Sequence, residues 1–135
     1  MFSNYDHSNF PIVTVTFEEG PKSNEDFEYF TNEWLKLYEM GLDFTFIFDT
    51  TQMKDPALKY AIKMSDFIKQ LKKKDTQYLE KSIILINNKK IKYLLDGVFA
   101  IQKPVAPVYI YNIKNGIIND IDMIINHSDT LIINP

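Results

Sequence analysis

The sequence predicts an α/β fold: one domain, with a sheet of about four largely parallel strands and helices packed on it. Three observations carry this. Apolar, β-branched and aromatic runs at 10–19, 42–49, 81–87 and 106–112 alternate with stretches of helical periodicity. The order strand, helix, repeated along the chain, implies right-handed crossovers between neighbouring parallel strands. A chain of 135 residues, 45% hydrophobic and 14% aromatic, suits a single domain with a full core.

The first strand, FPIVTVTFEE at 10–19, alternates apolar and polar residues, and Gly20 and Pro21 stop it. Ser23 and Asp26 resemble a capping box, with Glu25, Asp26 and Glu28 near the positive end of the helix dipole. That helix runs to about Met40, burying Phe27, Phe30, Trp34, Leu37 and Tyr38, and Gly41 is its natural C-cap. LDFTFIFD at 42–49 is nearly continuous in apolar character, as in a central strand covered on both faces.

Asp55 before Pro56 has the order of an N-cap and a first helical position, opening a helix to about Lys74. This helix carries two apolar stripes, one of Leu58, Ala61, Ile62, Ser65 and Ile68, the other of Tyr60, Met64, Phe67 and Leu71. KSIILIN at 81–87 is a buried strand, and Asn88 caps a helix ending before Pro104. APVYIYN at 106–112 returns as a strand. Ile117, Ile118, Ile121, Ile124 and Ile125 then mark a short amphipathic helix. No linker divides residues 10–126; residues 1–9 read as an N-terminal extension and 127–135 as a C-terminal tail.

Composition excludes several chemistries. Cysteine is absent, which removes disulfides, thiolate catalysis and Cys-based zinc sites. The net charge of −3 is built with lysine and no arginine, arguing against a nucleic-acid partner. No segment approaches the length of a membrane span, and the N-terminus lacks a signal-peptide pattern, so a cytoplasmic protein without integral membrane association is expected. His7 and His127 lie far apart without metal-ligand spacing, and Asp120 and Asp122 read as solvated charges. No serine sits in a G-x-S-x-G turn, and the glycines are scattered, so neither a nucleophile elbow nor a phosphate-cradling loop is expected. No cofactor, metal or catalytic residue is therefore expected.

Asp49, Thr50, Thr51 and Asp55 form a candidate loop at the end of the central strand, where α/β folds place ligands. A phosphoacceptor role for Asp49 lacks its companions, since Thr51 stands where a second aspartate would be needed. Asp49 ordering the loop through backbone hydrogen bonds is the simpler reading. Lys69, Lys72, Lys73 and Lys74, with Lys89, Lys90 and Lys92, would make a basic face if the two helix ends met. The stripe of Tyr60, Met64, Phe67 and Leu71 is a candidate partner surface if the other stripe faces the sheet; the alternative is a helix buried on most sides.

GPKSNEDFEYF after the opening strand, FTFIFDTTQM with its terminal aspartate, the Asp-Pro helix start and EKSIILINNKKIKYLLDGVFAIQKPVAPVYIYN together resemble the STAS superfamily. The likeness is to its SpoIIAA-like branch, which shares its fold with the lipid-binding lobe of CRAL-TRIO proteins, and GIINDIDMII is similar to that branch's final helix. The resemblance implies a non-enzymatic module that binds a protein partner or itself. The family's phosphorylated serine would fall near Met53, Lys54, Asp55 and Pro56, where no Ser or Thr stands, and Thr50 or Thr51 would be imperfect substitutes. The expected function is a protein-interaction module, a homodimer through the Pro56 helix. The alternative is a carrier of a small apolar ligand held between the sheet and the Pro56 and Asn88 helices, drawing on Phe67, Tyr93, Leu94, Phe99 and Tyr109.

Overall fold

The computed structural model describes residues 2–54, 58–113 and 131–135. Their elements are β1 (Ser3–Asn9), β2 (Ile12–Phe17), α1 (Asn24–Glu39), β3 (Phe44–Asp49), α2 (Lys59–Leu71), β4 (Leu79–Ile86), α3 (Lys89–Ile101), β5 (Val108–Asn112) and β6 (Leu131–Ile133). The sheet follows chain order, β1-β2-β3-β4-β5-β6. Strands β2 to β5 are mutually parallel, with Val13 opposite Phe46, Phe46 opposite Ser82, and Ser82 opposite Val108. An antiparallel strand closes each edge.

The expected four-stranded sheet is thus the centre of a six-stranded mixed one. Residues 1–9, expected as an extension, contain β1, and the expected tail contains β6. Both escape a periodicity reading for physical reasons. SNYDHSN has exposed polar side chains at most positions and only Tyr5 as a large inward anchor, while LII is three residues long. The Tyr5 hydroxyl donates to the Phe30 carbonyl oxygen at 2.5 Å and so ties this edge to α1.

Alternation along the strands separates two faces. Val13, Val15, Phe17, Phe44, Phe46, Phe48, Ile84, Ile86, Val108 and Ile110 share one core with Trp34 of α1, Phe67 and Leu71 of α2 and Ile91 of α3. All three helices therefore cover the same face, as right-handed crossovers between successive neighbours require. Ile47, Ile83, Leu85 and Ile113 form a second cluster on the opposite face, with Tyr109 and Tyr111 beside them.

Local signals place the helix ends. Ser23 Oγ accepts from the Asp26 amide at 3.3 Å, while Asp26 Oδ2 accepts from the Lys22 amide at 2.8 Å, one residue ahead of the usual reciprocal bond. Asn88 Oδ1 accepts from the Ile91 amide at 3.0 Å. Asp55 and Pro56 lie outside the described residues, as does the expected helix at 117–125; α2 is described from Lys59, and Leu58 before it makes no side-chain cap.

Gly41 follows α1 with φ +68°, the left-handed region that a side chain resists, whereas Gly97 sits inside α3 with open space where a Cβ would go. Gly41→Ala should cost about 1 kcal/mol, and Gly97→Ala should gain about 0.5–1 kcal/mol. Urea unfolding of both variants checks this, and midpoint shifts of the same sign would refute it.

The two lysine groups do not form one basic face. The last turn of α2 leads to the start of β4, and α3 begins beyond its end. Eight residues of strand separate them by roughly 26 Å at the usual rise of about 3.3 Å per residue. Lys92 instead pairs along its own helix with Asp96.

Candidate apolar binding site

The loop at the C-terminal end of β3 is built by its own polar atoms. Asp49 Oδ1 accepts from the Thr51 amide at 3.0 Å and the Thr51 hydroxyl at 2.6 Å. Thr50, buried beneath it, donates through both its amide and its hydroxyl to the Leu85 carbonyl oxygen, at 3.1 and 2.7 Å. Asn87 Nδ2 holds the Thr51 carbonyl at 3.0 Å, and the Lys54 amide reaches the Glu19 carbonyl at 3.0 Å. The candidate residues Asp49, Thr50 and Thr51 are therefore brought together, and their bonds tie the end of β3 to the end of β4, while Lys54 ties the same loop to the residues after β2. Asp55 lies outside the described residues.

Beneath this loop is a cavity of about 150 Å³ between the helix-covered face of the sheet and the three helices. Thr50 and Met53 wall it at the loop end. Phe27, Phe30 and Trp34 come from α1, Tyr60, Ala61, Met64 and Ile68 from α2, and Leu94, Leu95, Val98 and Phe99 from α3. The sheet supplies Phe17, Phe48, Ile84 and Val108. Among the described residues no acidic or basic side chain stands in these walls. The volume matches that of an apolar protein cavity known to stay dry and take up benzene, and falls below the roughly 300 Å³ at which drug-sized ligand sites begin. It can hold one small ring, not a lipid chain with its headgroup.

Tyr60 is 6% exposed, and its buried hydroxyl, like the Trp34 indole N–H, has no hydrogen-bond partner among the described residues. Its ring stacks on Phe27 with centroids 5.6 Å apart, and the Lys59 and Lys63 ammonium groups lie 5.1 and 5.9 Å from the ring centre. The ring is thus held between aromatic and cationic neighbours, which satisfy its π-face but not its oxygen.

The expected exposed stripe of α2 is not on the surface. Tyr60, Phe67 and Leu71 are buried, and Met64 is half-buried. Ala61, Ser65 and Ile68 of the other stripe are buried as well. The reason is the neighbourhood: Phe67 packs on Trp34 of α1 at 5.2 Å between ring centres, while Ala61 and Ile68 pack on Val98 of α3. Flanked by both helices, α2 leaves Leu58 and Ile62 as its exposed apolar residues.

Of the residues expected to line a pocket, Leu94 and Phe99 do so. Phe67 belongs to the core, Tyr93 is 68% exposed, and Tyr109 lies on the opposite face of the sheet. The walls from α1 and β2 were not foreseen. Their signal in the sequence, an apolar stripe on α1 and alternation in β2, reads equally as filled core.

No family model, curated protein or solved structure matches the chain. Among the described residues no group of histidine and carboxylate side chains could hold a metal ion, and no helix is long and apolar enough to cross a membrane.

Proposed function

We propose that the chain is a non-enzymatic binding module that takes up a small, neutral, apolar molecule between its sheet and its helices. The observation that carries this is the cavity of about 150 Å³ whose described walls are largely aromatic and aliphatic and hold no charged side chain. A charged ligand would lose its hydration with nothing to replace it, so the walls select against ions. This reading is the carrier implied by the resemblance to the CRAL-TRIO lobe, at the scale of a ring and not of a whole lipid. The Asp49 loop serves it by closing the cavity at the C-terminal edge of the sheet.

Toluene should raise the thermal unfolding midpoint of the protein, because a ligand that binds only the folded state stabilises it by roughly 1.4 kcal/mol at ten times its Kd. Ala61→Leu, which places bulk into the cavity, should abolish that shift. Absence of a shift in the unmodified protein at saturating toluene would end the proposal.

Self-association through α2 is a second reading, favoured by Leu58 and Ile62, which are 76% and 61% exposed. It moves the contact away from Tyr60, Met64, Phe67 and Leu71 to the outward side of the helix. Sedimentation velocity should then show a dimer that Ile62→Asp converts to a folded monomer; a monomer at the outset rejects it.

A further inference from the structure

We infer that the helical layer is the docking surface for a second copy of this chain, placed by a two-fold axis along α2 so that the acidic α1 of each copy lies over the basic start of α3 in the other. The inference rests on the second reading above, self-association through α2, and gives that contact its arrangement. It starts from how charge is divided along the chain. Residues 2–54 hold ten acidic side chains against three lysines, while residues 58–113 hold eleven lysines against four acidic side chains. Because the sheet follows chain order, these stretches become two sides of one molecule: β1 to β3 with α1 on the acidic side, and β4 and β5 with α2 and α3 on the basic side. The chain thus carries its own electrostatic complement, the property that orients two surfaces as they meet.

The helix ends sharpen this. α1 exposes Glu25 and Glu28 near its start, and α3 exposes Lys89 and Lys90 at its start. Those lysines stand at the positive end of the α3 dipole with no acidic residue in the first turn, the reverse of the arrangement in α1. Carboxylates brought by a partner would offset them. All three helices run in the same direction, since each leads from the end of one parallel strand to the start of the next. Half a turn about an axis along α2 keeps that direction and exchanges the two sides, which sets the start of α1 over the start of α3 in both halves of the dimer. An axis across the helices would instead set α1 on α1, acid on acid. At the chosen axis α2 meets its own copy through Leu58 and Ile62, its exposed apolar residues, one turn apart. Such an isologous contact closes on itself. A layer of three helices, each about 10 Å wide, over the 13 residues of α2 at about 1.5 Å per residue, offers roughly 600 Å² per copy. Two such faces bury about 1,200 Å², the size at which stable interfaces begin.

The test is sedimentation velocity of the full chain and of two charge-reversed variants, Glu25→Lys with Glu28→Lys, and Lys89→Glu with Lys90→Glu. All four side chains are exposed, so both variants should keep the fold. The unmodified protein should be a dimer at low salt and should dissociate about tenfold more readily at high salt, where exposed charges are screened. Each variant alone should be monomeric, because it sets like charge against like at both contacts between α1 and α3. An equimolar mixture of the two variants should return to a dimer, because α1 and α3 of one then meet opposite charge at both contacts with the other. Dimers that persist in both variants but dissociate with Ile62→Asp would overturn this arrangement and leave self-association through α2 standing. A mixture that stays monomeric would overturn it as well. A monomeric unmodified protein removes both readings, and its co-sedimentation with phosphatidylglycerol vesicles would give the basic side to an anionic membrane instead.

Discussion

Phe46→Ala should destabilise the fold by about 3–5 kcal/mol, the range for removing a large ring from a filled core. Phe46 has no exposed surface and sits at the middle of the parallel block, opposite Val13 on one side and Ser82 on the other. Its ring meets Trp34 at 4.8 Å, Phe48 at 4.5 Å and Phe44 at 5.1 Å between centroids. Trp34 in turn reaches Phe67, so the loss spreads from the sheet to α1 and α2. Equilibrium urea unfolding measures the effect, with Leu58→Ala as the surface comparison expected to stay within about 0.5 kcal/mol. A cost below 1 kcal/mol for Phe46→Ala would mean that these rings are not the core.

The second large effect is a loss of stability in alkali. Burial pushes the Tyr38 hydroxyl up to about 12, and burial together with the nearby Glu33 and Tyr29 pushes Tyr5 higher still. In the unfolded chain both ionise near 10. Each folded-state pKa is raised, so the stability held by the neutral phenols is complete below pH 10. It declines as pH rises, by roughly 1.4 kcal/mol per pH unit for each phenol, until the folded pKa is passed. For Tyr38 that window is about pH 10 to 12. The bonds at risk are Tyr5 to the Phe30 carbonyl, holding β1 on α1, and Tyr38 to Gln77 Oε1, at 2.6 Å, holding α1 on the loop before β4. Urea midpoints measured at pH 8, 10 and 11 should fall steeply for the unmodified protein and less steeply for Tyr5→Phe and Tyr38→Phe. Slopes that match in all three proteins would contradict the assignment.

Where the sequence was legible, a local rule and the tertiary fold point the same way. Ser23, Asn88 and Gly41 mark helix ends because capping and left-handed geometry depend on a few adjacent atoms. The parallel strands were legible because both of their faces are buried, which makes long apolar runs. α2 shows where such reading stops. Its two stripes are plain in the sequence, but whether the second meets solvent, a partner or another helix depends on elements far away in the chain. The cavity is harder still, since a Phe or Ile that walls an empty space and one that fills it are the same letter. The unpaired Tyr60 oxygen had no sequence signal, because only three-dimensional placement reveals that no hydrogen-bond partner among the described residues reaches it.

Because every strand in this sheet lies beside the strand that comes before it in the chain, assembly can proceed as simple accretion. Each new strand finds its edge already in place, and no early strand must wait for a late one to be inserted beside it. The ribosome delivers residues in the same order, so β1 and β2 have all their neighbouring strands before β4 exists. Contacts of modest sequence separation carry a smaller loop-closure penalty and favour rapid folding. During synthesis the growing sheet presents, opposite β1, the edge that the next strand will cover, and a pause in translation just after β3 or β4 would leave that edge available to the wrong chain.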